Sequence, residues 1–121
     1  MSGLGSAVAG AAGGAATAAA SGAATLLRLH VPDEPAGRRE AWRAAVLEGQ
    51  GLAEVLAGPG GVARWLWARW SVLGSVGMDE EAVVAVATGY RRELWLWLVG
   101  DRDWQHCCAG LMGRIVRRIP S

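Results

Sequence analysis

Apolar positions recur along this chain at helical spacing, and they divide it into four stretches. Trp42, Ala45, Val46, Gly49, Leu52 and Leu56 follow one another at steps of one to four residues that keep to one side of a helix. The Pro-Asp-Glu-Pro run at 32–35 marks where that helix begins. Gly58-Pro59-Gly60-Gly61 then forms a turn. In the next stretch Val62, Trp65, Leu66 and Leu73 share one face, and Ala63, Trp67, Trp70 and Gly74 an adjoining one. A third stripe runs through Val83, Ala87, Tyr90, Leu94 and Trp97, and a fourth through Trp104, Cys108, Leu111, Ile115 and Ile119.

The ends of these stripes carry the residues that start and stop helices. Asp79 is placed as an N-cap, with Glu80 and Glu81 at the positive end of the helix dipole and Met78 and Val83 as a hydrophobic staple. Gly100 suits the left-handed position that closes a helix, and Asp101 or Asp103 caps the next. The pattern predicts helices over 34–57, 62–74, 79–99 and 102–118, with the pair Gly49 and Gly51 able to kink or split the first. The fold class expected is therefore all-α, a small four-helix bundle with short connections between antiparallel neighbours. Gly110 and Gly113 sit inside the last helix, where close approach of another element would account for them.

Composition changes this picture at the N-terminus. Residues 3–27 carry no charge and consist almost wholly of Ala, Gly, Ser and Thr. Alanine methyls offer little burial against a backbone entropy of roughly 1–2 kcal/mol per residue, so 1–31 is expected to be a disordered tail and 32–121 the helical domain. The stretch lacks both the positive start and the strongly apolar segment of a signal peptide, and Arg64 and Arg69 exclude 62–73 as a membrane span. With no export signal and two adjacent cysteines that diverge on a helix, the expectation is a cytoplasmic protein with reduced thiols. A formal net charge of +1 gives no general affinity for polyanions, so any such binding has to be local.

Candidate chemistry is sparse. His106, Cys107 and Cys108 are consecutive, which points them in different directions on a helix and leaves neither a zinc-like set nor a Cys-His pair. The acids near helix starts are explained by capping, and Gly58–Gly61 lacks the lysine of a phosphate loop. No cofactor, metal site or catalytic constellation is expected. The chain has seven tryptophans and no Phe. Trp67, Trp70 and Trp95, with Arg91 and Arg92, are the expected anchors of a contact with a protein partner or a second copy, since Trp and Arg favour such roles. The alternative is a nucleic-acid-binding or regulatory protein that uses Arg114, Arg117 and Arg118. The first reading requires tryptophan left exposed on the folded chain.

Overall fold

The computed structural model describes residues 22–119, and among them every regular element is helical. Residues 22–29 form α1. It is followed by α2 (Ala36–Leu47), α3 (Leu52–Ala57), α4 (Val62–Arg69), a short 3₁₀ turn (Gly74–Val76), α5 (Glu80–Gly89), α6 (Arg91–Leu98) and α7 (Trp104–Arg118). The all-α class stands, but the count of four helices is corrected, because two of the expected helices are each broken in the middle and α1 precedes them. No described helix is long and apolar enough to cross a membrane.

Local chemistry explains most boundaries. The Asp79 carboxylate accepts from the Ala82 N–H at 2.8 Å, and Asp103 accepts from the His106 N–H at 2.7 Å, so each starts its helix. Gly100 closes α6 at φ +89 and Gly49 ends α2 at φ +110, conformations an L side chain resists. Glycine at 49 thus splits the 34–57 stretch into α2 and α3. The 79–99 stretch breaks for a different reason. Tyr90 leaves helical geometry at φ −111 and ψ 19, ends α5 and starts α6. Its ring packs against Gly110 of α7. The 62–74 stretch stops at Arg69, because Trp70 leaves the helix at ψ 83 and is buried in the core.

Four tryptophans form a closed ring at the centre. Trp42 meets Trp65 and Trp97, each with ring centroids 6.3 Å apart, and Trp104 meets Trp65 at 5.9 Å and Trp97 at 4.8 Å. Three of the contacts are edge-to-face, the arrangement favoured by the ring quadrupoles and worth about 0.5–1.5 kcal/mol each beyond burial. The ring joins α2, α4, α6 and α7. Val55 and Leu56 of α3, and Val83, Val86 and Ala87 of α5, extend the core around it.

Residues just before α2 pack on this core, on both sides of the 31/32 position. Leu27 is fully buried, and three indole N–H groups donate into 27–34. Trp70 bonds the Leu27 carbonyl at 3.1 Å, Trp104 the Pro32 carbonyl at 2.7 Å, and Trp97 the Glu34 carboxylate at 3.2 Å. A buried indole N–H left without an acceptor costs roughly 1–3 kcal/mol, so these bonds and the burial of Leu27 fix a stretch whose own composition is weak. The part of the expected tail at 1–21 lies outside the described residues.

Candidate functional site

All seven tryptophans are described and none is exposed. Trp70 is 1% accessible with its N–H satisfied inside the protein, which removes it from any surface role. Trp67 and Trp95 are half-buried against the core, each with only part of its ring facing solvent. Arg91 and Arg92 are exposed at the start of α6, and an Arg91 Nη donates to the Thr88 carbonyl at 3.3 Å. Of the three tryptophans expected as anchors, Trp67 and Trp95 thus keep part of a ring at the surface and Trp70 none.

The arginines of α7 do come together. Arg114, Arg117 and Arg118 lie at spacings of three and four, which places them on one side of the helix's last turns. They line a groove of about 220 Å³ whose other wall is Ala85, Val86 and Gly89 of α5. No carboxylate is among its lining residues. Arg114 also lays its guanidinium over the Tyr90 ring, 5.2 Å from the centroid, which brings the α7 row to the residue next to Arg91. The negative ends of α5 and α7 favour positive charge here and help hold these side chains.

The pattern of ion pairing sets this group apart. Among the described residues Arg39 pairs with Glu34, Arg43 with Glu40, Arg64 with Glu80 and Glu81, and Arg102 with Glu93. None of these pairs engages Arg91, Arg92, Arg114, Arg117 or Arg118. Near-neutrality of the whole chain therefore hides a local excess of positive charge at the α5–α6 corner and along α7.

The remaining sequence candidates are placed away from solvent or apart from one another. Cys107 and Cys108 are both fully buried. Burial pushes the Cys107 thiol up to about 12 and the Cys108 thiol higher still, so both are held protonated and unreactive. His106, the residue before them, is exposed. Among the described residues no three His, Cys, Asp or Glu side chains come together as a metal set. Burial also raises the Tyr90 phenol, with the neighbouring Cys107 thiol and Glu93 carboxylate adding to the effect.

Compared with known proteins, the chain matches no family model, no curated sequence and no solved structure.

Proposed function

We propose that this protein is a non-enzymatic binding module whose partner is the phosphodiester backbone of a nucleic acid, held by Arg114, Arg117 and Arg118 with Arg91 and Arg92 beside them. The observation that carries the reading is the α5–α7 groove, which three arginines line and no carboxylate enters. Guanidinium groups present planar forks of donors that match phosphate oxygens, and they stay charged at any physiological pH.

Base recognition is not part of this reading. The groove has no side-chain amide or aromatic face, and the only glutamines of the chain are Gln50 and Gln105. Affinity should therefore be independent of base sequence and come from release of counterions.

The test is fluorescence anisotropy of a labelled single-stranded oligonucleotide titrated with the full chain at several salt concentrations. Binding should weaken linearly on a log–log plot, with a slope of about −0.7 for each phosphate neutralised. Absent or salt-independent binding would remove the reading. The half-buried Trp67 and Trp95 would then be the next surface to examine, by light scattering for self-association.

A further inference from the structure

Arg114 differs from its neighbours in how it is held. Its guanidinium carbon lies 5.2 Å from the centre of the Tyr90 ring, and its Nη1 stands 4.0 Å from the point where a side chain at Gly89 would begin. Gly89 ends α5 and Tyr90 caps it, so this side chain of α7 is seated on another element. Tyr90 is itself only 7% exposed, and its ring is wedged against Gly110, where no side chain competes for the space. Arg117 and Arg118 have no such seat. Among the described residues neither enters a hydrogen bond, an ion pair or a ring contact. Nη2 of Arg117 lies instead beside Gly113 of its own helix.

We infer, given the phosphodiester reading on which this rests, that Tyr90 is the positioning residue of the α5–α7 groove and holds Arg114 as its one preformed phosphate ligand. The negative face of the ring attracts the guanidinium through its charge. That attraction consumes none of the N–H groups, and Arg114 donates no hydrogen bond among the described residues. Its planar fork is therefore left whole for phosphate oxygens. An unseated arginine gives up rotamer freedom when it closes on a phosphate, whereas Arg114 has given up part of that freedom on folding. Taking away the ring should then weaken binding even though every positive charge stays in place.

The experiment is the oligonucleotide titration carried out on the full chain, on Tyr90→Phe, Tyr90→Leu and Arg114→Gln, and on the double variant Tyr90→Leu with Arg114→Gln. Tyr90→Leu should bind about three- to tenfold more weakly with an unchanged salt slope, since no charge is lost. Tyr90→Phe keeps the ring face and should bind within about twofold of the unaltered chain. Arg114→Gln should flatten the slope by about 0.7. In that background Tyr90→Leu should have no further effect, because the ring has no cation left to hold. A merely structural role for Tyr90 would weaken binding in both backgrounds and overturn the assignment. The Nε–H signal of Arg114 in the two-dimensional proton–nitrogen spectrum needs no variant at Tyr90. The ring current should set it upfield of the Arg117 and Arg118 signals in the free chain, and saturation with the oligonucleotide should move it. An Arg114 signal that stays put on saturation, or a Tyr90→Phe that binds as weakly as Tyr90→Leu, overturns the role of Tyr90. If the unaltered chain binds no oligonucleotide, the phosphodiester reading and this role fall together. If it binds in a salt-dependent way and Tyr90→Leu binds equally well, the role of Tyr90 falls alone.

Discussion

The Tyr90 ring lies directly against the α-carbon of Gly110: a methyl group built there would overlap the phenol oxygen and stand 2.6 Å from Cζ. A tyrosine from the corner between α5 and α6 thereby occupies the space that a side chain of α7 would take. The same ring carries the Arg114 guanidinium on its face, so core packing and the arginine row share one residue.

Gly110→Ala should therefore destabilise the protein by about 1–3 kcal/mol, the usual cost of overpacking. Gly113, three residues on, meets nothing closer than an Arg117 nitrogen at 3.8 Å. There alanine should be neutral or stabilise by up to about 1 kcal/mol through helix propensity. Urea unfolding of the two variants separates the cases, and equal effects would show that Tyr90 does not hold this position.

A second pair of substitutions tests whether α1 is part of the domain. Leu27 is fully buried, whereas Leu29 on the same helix is 72% exposed. Leu27→Ala should cost about 2–5 kcal/mol and Leu29→Ala less than about 0.5 kcal/mol. If both were silent in thermal or urea unfolding, residues 22–29 would contribute no stability, as their composition alone suggests.

Alkaline stability follows from the thiols. Cys107 is raised from 9.0 to about 12, so in the folded state it keeps its proton where the unfolded chain has lost it. The unfolded state then binds fewer protons, and stability falls as pH rises above about 9, by up to about 1.4 kcal/mol per pH unit for each buried thiol, until Cys107 itself ionises near 12. Below about pH 8 the thiols contribute no pH dependence. Urea midpoints across this range measure the effect, and Cys107→Ala should reduce the slope. The native protein should also resist alkylation of both cysteines until it is unfolded.

For the arginine row, Arg117→Glu should lower oligonucleotide affinity and flatten its salt dependence. Arg43→Glu serves as the comparison, because Arg43 already pairs with Glu40 on α2, and the same change in net charge there should have far less effect. Equal losses at the two positions, measured by anisotropy at matched salt, would mean that overall charge rather than the groove governs binding.

Features with local causes were legible in the sequence. Asp79 caps because a carboxylate there needs only the N–H groups of the next turn, and Gly49 and Gly100 end helices because only glycine takes their backbone angles without strain. The contact made at the Tyr90 break was not legible, since the ring packs against a glycine on another helix. Nor was α1, which follows a long run of alanine and glycine: the tryptophans that hold the stretch around it lie at 70, 97 and 104, far along the chain. The arginine row was visible as spacing on α7, but its freedom from carboxylates depends on where Glu80, Glu81 and Glu93 find partners.

The closed ring of Trp42, Trp65, Trp104 and Trp97 also gives the protein an optical signature. Indoles this close, at centroid separations of 4.8–6.3 Å and held at fixed tilts, couple their electronic transitions and absorb as a group. Circular dichroism in the aromatic bands should show paired lobes of opposite sign that weaken when one member is replaced and vanish when no two indoles remain in contact. They would report on closure of the centre of the molecule separately from its helices.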